Sequence, residues 1–133
     1  MENKLFISDT GVGPDGYKNI KLNDVSQEIK GKYDEVILSC IDKIHPNQAQ
    51  QYLSYVVSLA KLGGVVSVGT VDVLEFVSKY NSGMCSELEM VQSIYSSVFS
   101  YTPIIIDMMT ENNIDFQIAF YSNDRYFVKG VRE

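Results

Sequence analysis

Residues 33–70 read YDEVILSCIDKIHPNQAQQYLSYVVSLAKLGGVVSVGT, and this stretch decides the fold. Val36-Ile37-Leu38 is an unbroken apolar centre, the mark of a strand buried on both faces in a parallel sheet. Pro46 suits the first position of a helix, where a missing N–H leaves no bond unmade. Ala49, Tyr52, Leu53, Val56, Val57 and Ala60 then recur at helical spacing along one stripe, until Gly63-Gly64 supplies a stop. The spacing predicts a helix over 46–62. Val65 to Thr70 is short and β-branched, so strand 34–40, helix 46–62 and strand 65–70 form a right-handed βαβ crossover. A doubly wound α/β sheet follows.

Toward the N-terminus, Lys4 to Ser8 reads as a short strand and Asp9 to Gly16 (DTGVGPDG) as a glycine-rich loop. Tyr17 to Leu22 is a brief extended piece, and Asn23 to Lys32 a polar connector or weak strand. Toward the C-terminus, Asp72 with Glu75 and Ser86 with Glu89 have capping-box spacing, predicting helices over 72–80 and 86–99. Thr102-Pro103 opens a further helix that ends near Asn112-Asn113. Phe116, Ile118 and Phe120 alternate, Ser122-Asn123-Asp124 turns, and Tyr126 to Val131 returns, so the chain closes in an antiparallel hairpin. No internal repeat divides the 133 residues, and 1–133 reads as one domain.

Eleven basic against seventeen acidic side chains leave a net charge of -6, which disfavours sequence-independent nucleic-acid binding. The apolar run from Tyr52 to Val68 is broken by serines, a lysine and glycines and falls short of the roughly 20 residues that span a bilayer, so no membrane role is expected. Cys40 and Cys85 lack a partnering motif and no apolar signal core opens the chain, which predicts a cytoplasmic protein with reduced thiols. One histidine, His45, and no cysteine cluster predict no metal site.

The order of elements resembles the Rossmann-like class I S-adenosylmethionine-dependent methyltransferases, and local residues point to their small bacterial and viral members. Gly16-Tyr17-Lys18-Asn19-Ile20 resembles that subfamily's Gly-Tyr/Trp-x-Asn-x-Asp stretch. Tyr33-Asp34-Glu35-Val36 is similar to its Phe-Asp-Glu-Ile strand opening, and Leu59 to Gly64 to its Leu-Lys-Pro-Gly-Gly turn. Ser100-Tyr101-Thr102-Pro103 resembles the segment before its last two strands. The resemblance implies a three-layer α/β/α fold, mostly parallel and reduced in its N-terminal half. It implies S-adenosylmethionine as cofactor, bound at the carboxyl ends of the first strands by Ser8, Asp9, Thr10, Gly11, Lys21, Ser39 and Asp42.

The departures cluster at that site. Ser8-Asp9-Thr10 stands where the family has Gly-x-Gly for close backbone approach to the methionine part of the ligand. Lys21, a donor only, aligns with the carboxylate that grips the ribose hydroxyls. The 23–32 segment is shorter than the family's third strand and adenine-contacting turn. Ser39-Cys40-Ile41-Asp42-Lys43 keeps only the acidic position of the family's His-x-Leu-Glu-His, so no catalytic residue is assigned.

Each feature also has a plainer reading. The loop suits any tight turn, with Gly11 and Gly13 as a displaced anion nest in the functional alternative. Lys21 reads as a solvated lysine or a phosphate ligand, His45 as a helix cap or a base, Cys40 as a buried thiol or a nucleophile, and Asp42 as an isolated carboxylate or a crevice residue. Tyr80, Tyr95 and Tyr101 with Phe99, Met84 and Met90 read as packing, as an acceptor lid, or as a surface for a homo-oligomer or protein partner across 84–101. Two functions follow: a degenerate methyltransferase-fold binding or structural subunit, active in cytoplasm, host cytoplasm or a virion, or an active small methyltransferase with an unknown acceptor. The loss of glycines, carboxylate and pocket wall together favours the first.

Overall fold

The structure, a computed structural model, describes residues 3–70, 78–89, 91, 102–122 and 125–133. Six strands, β1 (Lys4–Ser8), β2 (Lys18–Lys21), β3 (Tyr33–Leu38), β4 (Ala60–Thr70), β5 (Ile114–Ser122) and β6 (Arg125–Arg132), form one sheet in the order β2-β1-β3-β4-β6-β5. The first four run parallel to one another, while β6 is antiparallel to both β4 and β5. Helices α1 (Pro46–Leu59) and α2 (Thr102–Glu111) flank it.

Side chains alternate across a strand, so register assigns them to faces. Leu5, Val36 and Val66 lie side by side, and Ile7, Leu38, Val68 and Val128 form the next row. All seven are fully buried, beneath Leu53, Val56 and Val57 of α1 and Met109 of α2. Fully burying one such side chain contributes roughly 1.5–3 kcal/mol, so these rows and their helices are the core. The Ser54 hydroxyl also donates to Asn112, joining the two helices.

The alternate residues face the other way. Phe6, Ile37, Ser67, Lys129 and Ile118 form one cross-strand row, and Gly69, Phe127 and Phe120 the next. Among the described residues the cover on this open face is the 9–17 loop at one end. Gly13 sits so close to Phe6 that a Cβ would come within 2.3 Å of the ring. Tyr17 meets Phe6 edge-on at 6.3 Å, and its hydroxyl donates to Glu35 at 2.7 Å. Beyond the loop a groove of about 520 Å³ runs over the sheet, floored by Ile37, Ser67 and Phe127.

Two expectations change, and a third is seen only in part. The 46–62 helix stops at Leu59, because Ala60 turns extended and pairs with Tyr33 as the first residue of β4. Arg132 donates to the carbonyls of Ser58 and Ala60, at 3.4 and 2.5 Å, giving the helix end the cation it favours. Gly63-Gly64 therefore serves a bend within the strand. Gly63 takes φ of 81°, and a Cβ on Gly64 would lie 2.9 Å from the Lys61 carbonyl. Next, the connector after β2 contains a 3-10 helix, Leu22–Gln27, not a strand. The Tyr52 and Tyr55 hydroxyls of α1 donate to the carbonyls of Leu22 and Ser26, at 2.7 and 3.2 Å, and Val25 enters the core. The predicted helices 72–80 and 86–99 are seen as helical residues 78–81, 87–89 and 91. Ser86 accepts from the Glu89 N–H at 3.1 Å and donates to its carboxylate at 3.2 Å; the remainder, including Asp72 and Glu75, lies outside the described residues.

Glu28 ties the connector to the sheet by accepting from Tyr33 at 2.5 Å and from Lys18 at 2.9 and 3.0 Å. Burial pushes its pKa up, but these hydrogen bonds and the lysine charge outweigh it and leave the carboxyl below its ordinary value. Burial and the same carboxylate push Tyr33 well above the ordinary tyrosine value. A carboxyl with a lowered folded-state pKa stabilises above its unfolded pKa and loses that contribution as pH falls. Glu28→Gln should therefore cost about 1 kcal/mol at neutral pH. In urea titrations its gap from the unsubstituted protein should close as pH falls through the glutamate range.

Candidate functional site

The parallel strands β1, β2 and β3 end side by side, and in an open α/β sheet a ligand crevice lies outside such carboxyl ends. Ser8 closes β1 beside Lys21, the last residue of β2. The buried Ser8 hydroxyl accepts from the Gly11 N–H at 2.9 Å and donates to the Val12 carbonyl at 3.2 Å. Thr10 Oγ1 accepts from the Val12 N–H at 3.3 Å. Gly11 takes φ of 78°, which glycine adopts without strain. The amides of Gly11 and Val12 are thus bonded inside the loop, to the two hydroxyl residues of Ser8-Asp9-Thr10. Gly13 packs on Phe6, away from Gly11, so no joint nest forms.

Asp9, Thr10 and Lys21 are exposed. The aliphatic stem of Lys21 lies along the loop, its Cγ 3.1 Å from where a Cβ on Gly11 would sit. Ser39, just past β3, donates to the Ile7 carbonyl through both its N–H, at 3.0 Å, and its hydroxyl, at 2.9 Å, closing the seam between β1 and β3.

Asp42 lies in a one-turn 3-10 helix, Ile41–Lys43, and is fully buried. One carboxylate oxygen accepts from Arg125 Nη1 at 2.5 Å, while the other is buried without a hydrogen-bond partner. Asp42 therefore sits at the strand ends as half of an ion pair, not as an isolated carboxylate. Arg125 opens the last strand, far away in sequence, and only the placement of β6 beside β4 brings it here; no local pattern announces it. The nearby Cys40 is buried, and burial first, then the charges of Asp9 and Asp42, push its thiol pKa up, as expected of an unreactive cysteine. His45 caps α1, its Nδ1 accepting from the Asn47 N–H at 3.2 Å.

Ser8, Ser39 and the 8–12 loop are thus brought into one bonded edge with Lys21 laid against it, while Asp42 and Arg125 form a separate buried pair. Among the described residues no three His, Cys, Asp or Glu side chains cluster as a metal site would require, and no helix is long and apolar enough to cross a membrane. Tyr95, Phe99, Tyr101 and Met90 of the expected partner surface lie outside the described residues, whereas Met84 and Tyr80 are exposed.

Several solved methyltransferase structures share this arrangement of strands and helices. An O-methyltransferase family protein from Burkholderia thailandensis superimposes with a TM-score of 0.61 at 19% identity, over 88% of this chain and 35% of that one. The fold is that of the class I S-adenosylmethionine-dependent methyltransferases. Magnesium protoporphyrin IX methyltransferase from Synechocystis, with bound S-adenosylhomocysteine, matches at a TM-score of 0.57 and 16% identity, over 90% of this chain and 54% of that one. A methyltransferase from Thermotoga maritima, described as a possible histamine N-methyltransferase, matches at 0.62 and 12%, over 100% of this chain and 83% of that one. The chain thus spans about a third of the first of these proteins and about half of the second. No protein-family model matches the chain. No curated protein sequence matches it either.

A buried carboxylate stripped of its partner is strongly destabilising, by about 3–5 kcal/mol. Arg125→Met should fall in that range in urea denaturation, and Asp42→Asn should cost less because the arginine, 25% exposed, can turn to water. With a thiol reagent under native conditions, Cys85 should label first and Cys40 only on unfolding.

Proposed function

We propose that this chain is a methyltransferase-fold subunit whose cofactor edge is closed by its own side chains, and that it serves as a non-catalytic binding or structural protein. The observation that carries this reading is the inward bonding of the loop. The hydroxyls of Ser8 and Thr10, standing where the family has glycines, take up the Gly11 and Val12 amides that would otherwise face a ligand. Three further features support it. Lys21 cannot accept hydrogen bonds from ribose hydroxyls, and its stem fills space along Gly11. Ser39 is bonded to Ile7, and Asp42 is neutralised by Arg125. The residues present do not fit S-adenosylmethionine.

A second reading, an active small methyltransferase, draws support from the unpartnered oxygen of Asp42 and from the bound S-adenosylhomocysteine of the Synechocystis structure. A buried acceptor without a donor is unusual and suits a site that a ligand completes. Methyl transfer needs chiefly in-line positioning in a water-excluded site, so the absence of an acid–base pair does not separate the readings.

Calorimetric titration with S-adenosylmethionine and S-adenosylhomocysteine, with thermal shift at millimolar ligand, separates them. A ligand at a hundredfold its Kd stabilises the native state by about 2.7 kcal/mol. A domain of this size would show that as a shift of several degrees. The closed-edge reading expects no saturable heat and no shift. Saturable micromolar binding would overturn it and turn the search to methyl acceptors.

A further inference from the structure

We propose that the outer strand β5 pairs with β5 of a second copy, joining two sheets into one across a two-fold axis at Ala119. β5 ends the strand order and has β6 as its one neighbour among the described residues, so its other side presents backbone N–H and C=O groups that a further strand would bond. The two rims of the sheet differ. β2, at the opposite rim, is four residues long with a lysine at each end, the kind of short, charged edge that discourages pairing with other molecules. β5 runs for nine residues, carries one charge, Asp115, and exposes every side chain from Asp115 to Phe120. Ile118 is 52% exposed and Phe120 39%. Ala119 is exposed too, although Val128 beside it on β6 is fully buried, so the cover over the core thins out one strand short of this rim. Helix layers cover the faces of a sheet, whereas an unpaired rim calls for main-chain partners, which an added strand supplies.

The residues of β5 indicate a second copy as the partner. A register shift breaks the ladder between Phe116 and Ile118, after which Ile118 to Ser122 pair with Lys129 to Arg125 without interruption. Within that regular stretch Ile118 and Phe120 lie on one face of the sheet, with the small Ala119 between them on the other. When two copies of β5 run antiparallel about an axis through Ala119, each Ile118 lies directly opposite the other copy's Phe120, and the two Ala119 side chains meet at the axis. An aromatic ring opposite a β-branched side chain is a favoured cross-strand pair, and the symmetry makes it twice. The charge on the strand does not oppose this. Each Asp115 stands four residues from the axis, which sets the two carboxylates about 27 Å apart, well beyond the ~8 Å screening length at physiological salt. Residues 116–122, at about 3.4 Å each along a sheet about 10 Å thick, offer on the order of 240 Å² per copy. The interface is therefore a transient one, held mainly by main-chain hydrogen bonds as in strand addition to a sheet edge. β4 and β6 separate β5 from the cofactor edge, so the pairing does not depend on a ligand there.

Sedimentation velocity on the full chain, from low micromolar to near-millimolar concentration, should show a monomer–dimer equilibrium. Ala119→Lys sets two ammonium groups against each other at the axis and should weaken the dimer at least about tenfold. In a Cys85→Ser background, which leaves the buried Cys40, Ala119→Cys should cross-link to itself under mild oxidation. Directly opposed residues of antiparallel strands have Cα atoms about 4.5–5.5 Å apart, within disulfide range. Asp115→Cys, also at an exposed position but far from the axis, measures random collision and should cross-link at least about tenfold more slowly. Melting temperatures at low concentration check that each variant folds. A chain that stays monomeric at every concentration overturns the proposal. So does a dimer that Ala119→Lys leaves intact, which would place the contact elsewhere, and so does an Ala119→Cys cross-link no faster than that of Asp115→Cys.

Discussion

The side-by-side pairing of β1, β3 and β4 organises the molecule. Leu5, Val36 and Val66 in one row, and Ile7, Leu38, Val68 and Val128 in the next, form a continuous dry surface. On it α1 and α2 find most of their contacts. Because parallel strands end at the same edge, this pairing also fixes where the chain can do chemistry: Ser8, Lys21 and Ser39 arrive together only because their strands do. The side chains at that edge are engaged with backbone groups of the same edge. Ser8 and Ser39, two small hydroxyl residues, serve as internal bonds, Ser8 to the loop and Ser39 between adjacent strands.

The two faces of the sheet follow different rules. One is a close-packed helix-covered core; the other mixes aromatic rings, a serine, a glutamate and a lysine, with the glycine-rich loop folded onto its first ring. Gly13 is needed there because Phe6 and the Asn19 side chain leave no space for a Cβ. A loop that belongs to the ligand edge in other methyltransferase folds acts here partly as cover for the sheet.

Much of this was legible in the sequence, and the exceptions share a cause. The limits of β1, the start of α1 at Pro46, the start of the 102–111 helix and the closing hairpin all depend on local pattern, and the residues alone place them closely. Two glycines are a strong local stop, so the pattern alone carries α1 to Gly63-Gly64. Pairing of Ala60 with Tyr33, a tertiary event, ends the helix sooner. The 22–27 turn depends on two tyrosine hydroxyls from α1, and the Asp42–Arg125 pair on a strand from the far end of the chain. Strand order alone brings Ser8, Lys21 and Ser39 to one edge, while the internal bonding of that edge depends on rotamers that no spacing rule encodes. The side taken by α1 and α2 is hidden in the same way: alternation in each strand is visible, but that these two helices pack on the same face is not.

Strand order has one more consequence, for the chain as it is being made. β6, the last strand in sequence, lies between β4 and β5 rather than at the rim. A nascent chain in which residues up to 122 have emerged holds two strands that cannot yet meet, each exposing backbone donors and acceptors toward the missing strand. The sheet is complete only once 125–132 pairs with both β5 and β4 and Arg132 reaches the end of α1. Synthesis of this protein thus passes through an interval of open edges, in which slow elongation or a crowded polysome favours pairing with the wrong chain.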